Sequence, residues 1–139
     1  MAHIHEEIEI QAAPGDVWAV AGEPARIADW LPALSSSRAA SGGRECTLTD
    51  GAELKERILE HSDEQRSYSY EIVEAPMALR SYRSRLSVQG HDGHSHVEWE
   101  AEFEPEDADQ EAELLEAFTQ TYRDGLESLR DRLEADSAA

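Results

Sequence analysis

Glu56 stands out against its neighbours. It lies between Leu54 and Ile58 at the two-residue spacing of one face of a β-strand. On an interior face its carboxylate loses its water, and must then be paired or hold its proton more tightly. A carboxyl of that kind in an apolar pocket is a candidate general acid or base. Two plainer arrangements fit the same spacing: a twisted strand with a wet middle, and a structural ion pair with an arginine. Glu6 interrupts the first strand in the same way, which argues that the apolar pattern is leaky.

Tyr68, Tyr70 and Tyr82 fall on the inner face of adjacent strands, and Ser84 joins them. Their rings supply apolar wall while their hydroxyls can orient a carbonyl or hydroxyl of a ligand. Tyr82 is the second acid/base candidate. The plainer reading is core tyrosine with its hydroxyl reaching solvent at the sheet edge. His91, His94 and His96 crowd around Gly90-His91-Asp92-Gly93, but the stretch reads as an exposed hairpin turn without a rigid frame for a metal. The lone Cys46 cannot form an internal disulfide and reads as a small buried apolar residue. There is no glycine-rich phosphate loop, no Gly-x-Ser-x-Gly elbow and no Cys/His zinc pattern. No metal, nucleotide or redox cofactor is expected.

The 139 residues suit one domain. The net charge of −19, with 31 acidic against 12 basic residues, argues against nucleic acid and anionic membrane surfaces. Lys55 is the one lysine among the basic residues. No run of apolar residues is long enough to span a membrane. The charged, alternating stretch from Met1 to Gln11 is unlike a signal peptide, so the default expectation is a cytoplasmic protein, monomer or homodimer.

These residues need elements to hold them. Ile4, Ile8 and Ile10 alternate with polar residues as a half-buried strand. Pro14 suits a first helical position and Asp16 the positive end of a helix carrying Val17, Trp18 and Val20. Gly22 and Pro24 stop it, and a second short helix follows over Ala25–Asp29. Ser35–Gly43 reads as an edge strand and a turn. Strands are then predicted over Arg44–Thr49, Glu53–His61, Arg66–Glu74, Leu79–Gln89 and His96–Glu104. Asp50-Gly51 signals a two-residue hairpin.

The last long stretch, Ala108 to Glu134, carries Leu115, Phe118, Tyr122, Leu126, Leu129 and Leu133 on one helical face. Asp107 is the expected N-cap, with Gln110 three residues on. Beside the stripe run the small residues Ala117, Thr121, Gly125 and Ser128. A mid-helix glycine costs about 1 kcal/mol against alanine. Either close helix–sheet contact or a cavity wall would explain that flank. Residues 135–139 read as a frayed tail. The pattern predicts an α+β two-layer domain, a curled antiparallel meander covered by one long helix.

The order of elements, with Ala13-Pro14-Gly15-Asp16-Val17-Trp18, Ile27-Ala28-Asp29-Trp30-Leu31-Pro32 and Val97-Glu98-Trp99, resembles the helix-grip superfamily. That group includes START domains, the birch-pollen allergen, plant abscisic-acid receptors and the bacterial polyketide cyclase/dehydrase-like (SRPBCC) proteins, to which the resemblance is closest. It covers nearly the whole chain. It implies a curved seven-stranded antiparallel sheet around the C-terminal helix, with two short helices after the first strand. It also implies an apolar cavity gated by two loops, matched here by Asp50-Gly51-Ala52 and Ala75-Pro76-Met77-Ala78. Glu56-Arg57-Ile58 looks like the receptors' Glu-Arg pocket element. Their pocket lysine is missing, since Pro32 or Ala33 falls near that place, so a hormone receptor is not supported.

The resulting expectation is a binder of a small hydrophobic, lipid- or polyketide-like molecule. The alternative is a cyclase/dehydratase using Glu56 or Tyr82 as acid/base, and a third reading is a protein-interaction module. From the sheet, the expected cavity lining is Glu56, Ile58, Tyr68, Tyr70, Ile72, Tyr82, Ser84 and Trp99. Met77 and Leu79 come from the second gate. The helix contributes Phe118, Thr121, Tyr122 and Gly125.

Overall fold

β1 (Ala2–Ile10) buries Ala2, Ile4 and Ile10 and exposes His3, His5 and Glu7, the two-residue alternation of a strand with one wet face. The structure is a computed structural model describing residues 1–138, the side chains of 136–138 excepted. After β1 come α1 (Pro14–Ala21), a 3-10 helix (Pro24–Asp29), β2 (Leu34–Ala40), β3 (Gly43–Leu48), β4 (Glu53–Ser62), β5 (Ser67–Glu74), β6 (Leu79–His91) and β7 (His94–Pro105). A 3-10 turn (Ala108–Gln110) leads into α2 (Glu111–Ala138). The seven strands form one antiparallel sheet in the order β1-β7-β6-β5-β4-β3-β2. This is the helix-grip α+β architecture, with α2 lying against β1 and β7.

The buried residues form one core. Phe118, Tyr122, Leu126, Leu129 and Leu133 of α2 meet Ile4, Ile10, Leu86, Val97, Trp99 and Phe103 of the sheet. Leu115, at the start of the stripe, is only half-buried. Glu6 is accounted for, because Arg123 of α2 reaches down to it at 2.6 Å, so the first interrupting glutamate ties helix to sheet. Trp18 and Trp30 seat the short helices: the Trp18 indole donates to Asp63 at 2.9 Å, and Trp30 packs 5.4 Å from Trp99.

Several local expectations change. The second short helix begins on Pro24 itself and is 3-10, kinked at Arg26. The β3–β4 hairpin has a three-residue loop, not two. Leu48 N–H donates to Ala52 at 2.8 Å, Gly51 sits at φ 92°, and the Asp50 carboxylate accepts from Ala52 N–H. A type I turn followed by a left-handed residue explains that loop. The change of register matters. It sets Arg44 opposite Glu56 and Glu45 opposite Lys55, where a two-residue loop would have set like charges against each other. Asp107 caps as expected, accepting from Asp109 N–H at 2.9 Å, but what it caps first is the 3-10 turn. The helical backbone continues past Glu134 to Ala138. Residue 139, the end of the expected frayed tail, lies outside the described residues.

The small flank of α2 is corrected most. Ala117 is exposed, and Thr121 spends its hydroxyl on the Ala117 carbonyl at 3.0 Å. A Cβ built on Gly125 would come 2.5 Å from Leu31 Cδ1 and 3.1 Å from Trp99. Glycine is there so that the helix can press onto Leu31, Trp30 and Trp99. Gly125 therefore serves close packing and does not form the cavity wall expected of it.

Candidate functional site

A cavity of about 100 Å³ lies between the sheet and α2. Its wall is mostly apolar: Ile27 and Leu31 from the short 3-10 helix and its exit, Leu34, Leu48 and Leu54 from β2 to β4, and Phe118 from α2. Ile72, Met77 and Tyr82 border both this cavity and a larger surface groove of about 640 Å³ at the β5–β6 loop. Met77, half-buried on that loop, thus stands between the groove and the interior.

Two polar clusters meet the cavity. The first is built on Arg44, which is 1% exposed. Arg44 Nε donates to Glu56 Oε1 at 2.6 Å, and Nη1 donates to the Pro24 carbonyl at 2.9 Å and to the Tyr68 hydroxyl at 3.0 Å. The guanidinium also lies over the Tyr70 ring, 4.4 Å from its centre. Burial opposes the charge on Arg44. The Tyr68 phenol, the Glu56 carboxylate and Tyr70 outweigh that penalty and hold its pKa well above the usual arginine value. Gly43 makes the approach possible, since a Cβ there would sit 1.9 Å from the Glu56 carbonyl oxygen of β4. Cys46 is next to the pair, 3.9 Å from Glu56. Desolvation first, then the Glu56 charge, pushes its thiol up to about 12. It is an inert thiol.

The second cluster is a chain of hydroxyls. Tyr82 and Tyr122 are hydrogen-bonded through their phenols. Tyr122 also meets Ser84 Oγ at 2.8 Å, and Ser84 donates to the Glu100 carbonyl at 3.0 Å. Trp99 Nε1 donates to both Ser84 Oγ and Tyr70 Oη, at 3.1 and 3.2 Å. The Tyr122 ring stacks on Trp99, with centres 3.9 Å apart and planes 11° apart. Burial raises the pKa of Tyr70, Tyr82 and Tyr122 well above the ordinary phenol value, and raises Tyr68 as well. These phenols stay neutral and hold their protons tightly.

The structure gathers Glu56, Tyr70, Ile72, Met77, Tyr82, Trp99, Phe118, Thr121 and Tyr122 around the cavity. It places the other expected lining residues elsewhere. Tyr68 lies beyond Arg44, with its ring 6.4 Å from Trp18 and 6.2 Å from His61. Ser84 is fully engaged behind Tyr122 and Trp99. Ile58 is half-buried beside a register shift in β4, Leu79 borders the outer groove, and Gly125 packs on Leu31. Of the two expected gates, Met77 reaches the cavity. The Asp50-Gly51-Ala52 loop does not, although Leu48 and Leu54 on either side do. Sequence reasoning missed Arg44. The signal was present: Arg44 is two residues before Cys46, on the face already assigned to the interior.

On the opposite face of the sheet the β1–β7 register sets Glu7 against Glu98 and Glu9 against His96. His5 lies 3.6 Å from Glu7 and 3.5 Å from Glu98, and His96 Nδ1 lies 2.6 Å from Glu9. The ligand atoms of His5, Glu7 and Glu98 fall within 4.8 Å of one another. His5 and Glu7 are exposed, and strand alternation on β1 with its register to Glu98 of β7 accounts for the grouping. His91 and His94 are not in the turn but pair across it as the last residue of β6 and the first of β7, edge to face at 5.5 Å, with Asp92-Gly93 turning the chain. No helix among the described residues is long and apolar enough to cross a membrane.

The model of the family described as polyketide cyclase/dehydrase and lipid transport matches residues 1–134. Among solved structures, the protein XoxI of Bacillus cereus is 34% identical, with 96% of each chain covered and a TM-score of 0.86. An uncharacterized protein of Bacillus thuringiensis is 32% identical, over 95% of this chain and 98% of that one, with a TM-score of 0.84. The ZhuI aromatase/cyclase of a Streptomyces species shares the fold at 15% identity, covering 96% and 93% of the two chains with a TM-score of 0.80. No curated protein matches.

Proposed function

The chain belongs to the polyketide cyclase/dehydrase and lipid transport family, and from that premise we propose that it binds a small hydrophobic molecule between the sheet and α2. The observation that carries the reading is the apolar cavity of about 100 Å³ with two polar clusters at its wall. Small-molecule pockets usually measure at least about 300 Å³, so the cavity as it stands suits a compact occupant. Met77 is unbranched and adaptable. Its displacement would join the interior to the outer groove and admit a longer lipid- or polyketide-like chain.

Binding is favoured over catalysis by what the candidate acid/base groups are already doing. Glu56 is held by Arg44, and Tyr82 is held by Tyr122. A general acid or base works best with a pKa near the operating pH, and the Tyr82 phenol is displaced far above it by burial. The test is native mass spectrometry of the purified protein, followed by NMR titration with benzene. A retained ligand, or saturable benzene shifts at Tyr70, Ile72 and the Trp99 indole, supports the reading. Shifts scattered over the surface, or none at saturation, refute it. If a retained ligand is also chemically converted, Glu56→Gln separates the two roles. Lost turnover with affinity kept would support a cyclase, and loss of both would support simple binding.

A further inference from the structure

Arg44 has one nitrogen without a partner. Its Nε and Nη1 make three hydrogen bonds, but Nη2 is buried and bonded to nothing among the described residues. A guanidinium carries its donors in its own plane, so the Tyr70 ring lying over its face leaves Nη2 unsatisfied. A buried donor left unpaired is costly, and native structures rarely keep one without a reason. The other buried orphan among the described residues, Trp30 Nε1, belongs to a residue that does not border the cavity, whereas Arg44 does.

We infer that Arg44 Nη2 is the anchor for the ligand, and that the ligand is a compact neutral carbonyl compound whose oxygen accepts from it. The inference rests on the cavity-binding reading above and adds the ligand's chemistry.

Neutrality follows from charge. Glu56 already balances Arg44 at 2.6 Å, with side-chain exposures of 6% and 0%. An anionic ligand would leave a net negative charge beside a buried, already balanced ion pair, and desolvating an uncompensated charge is costly. A ketone, aldehyde, ester or amide oxygen accepts the hydrogen bond without that cost. Size follows from volume: an apolar cavity of about 150 Å³ takes benzene, so about 100 Å³ takes one ring with a short substituent only as Met77 yields toward the outer groove. The apolar wall from Leu31, Leu34, Leu54 and Phe118 would hold the carbon skeleton.

The test uses three probes of similar size, acetophenone, ethylbenzene and benzoate, with the wild-type protein and the Arg44→Met/Glu56→Leu double variant. Replacing both members of a buried pair with apolar residues keeps such sites folded, and ethylbenzene binding to the variant verifies its cavity. The readout is the preference for acetophenone over ethylbenzene in the wild type divided by that in the variant, which cancels the hydration of the probes. A hydrogen bond to a charged donor predicts a ratio on the order of 10- to 100-fold. Benzoate should bind the wild type more weakly than acetophenone.

Ethylbenzene binding with equal preference in both proteins would overturn the Arg44 anchor and leave the cavity reading standing. Tighter binding of benzoate would overturn the neutral-carbonyl assignment. A crystal structure of the acetophenone complex showing only water at Nη2 would overturn the anchor as well. If no probe binds the wild type at millimolar concentration, the cavity reading fails and takes this inference with it.

Discussion

Removing Arg44 should destabilise the fold more than removing Glu56. Glu56 has Arg44 as its one strong partner, with the Cys46 thiol a weak second at 3.9 Å. Arg44 without Glu56 still keeps the Pro24 carbonyl, the Tyr68 hydroxyl and the Tyr70 ring. Arg44→Met strands a carboxylate that is 8% exposed, and breaking a buried pair in that way costs about 3–5 kcal/mol. Glu56→Leu leaves the Arg44 charge without its counter-ion but still hydrogen-bonded to the Pro24 carbonyl and the Tyr68 hydroxyl, and should cost about 3 kcal/mol, the low end of the same range. The double variant should be more stable than Arg44→Met alone, because no charge is left unpaired. A loss of about 1–3 kcal/mol should remain, because the Pro24 carbonyl and the buried Tyr68 hydroxyl lose their donor. Urea denaturation followed by circular dichroism reads this directly. With a slope of roughly 2 kcal/mol per molar, Arg44→Met should lower the midpoint by about 1.5–2.5 M. The reasoning is refuted if Arg44→Met is the milder single change, or if the double variant is as unstable as the two losses summed.

Other outcomes follow from the same geometry. Gly125→Phe should fail to fold or melt far below wild type, since even a Cβ meets Leu31 at 2.5 Å; thermal melting alongside Gly125→Ala, where a helix-propensity gain of about 1 kcal/mol offsets part of the strain, checks this. All four tyrosines are buried, with raised pKa values. The unfolded chain ionises them above about pH 10 while the folded chain does not, so stability should fall there by up to about 5 kcal/mol per pH unit. Tyrosinate absorbance should therefore rise together with unfolding, not before it. His96 has its pKa raised chiefly by its hydrogen bond to Glu9. Its contribution is fully present below the unfolded value of about 6.5 and is lost as pH rises through the folded value. His96→Gln should flatten that dependence in denaturant midpoints measured across the neutral range. Cys46 should resist a thiol reagent in the native protein and react on unfolding.

The layers of the fold were legible because strand alternation and the α2 stripe are set by burial, and burial is written in residue type. The candidate site was legible only where a residue's face decided its position at the cavity wall, as for Glu56, Tyr70 and Tyr82. Arg44 was not found because its partner depends on the register of the β3–β4 hairpin. One residue of loop length decides that register, and Asp50-Gly51 is compatible with more than one loop. Gly125 was misassigned for a related reason. A small residue beside an apolar stripe marks either a gap or a close approach, and only the positions of Leu31 and Trp99 separate the two. Glu6 and Glu56, which look alike in the sequence, turn out to have separate arginines, one joining helix to sheet and the other set at the cavity.

β1 has a single strand neighbour, β7, which pairs Ala2 with Phe103 and Ile10 with Ser95. All the other strand pairs join consecutive segments through a turn or short loop. During synthesis, β2 to β6 can therefore zip up one hairpin at a time as they leave the ribosome. β1, though made first, must wait with its edges open until β7 appears, and α2 can lie down only after that. Long-range pairing of this kind slows folding. The alternating polar residues of β1, His3, His5, Glu7 and Glu9, would guard its open edges against pairing with other chains while it waits.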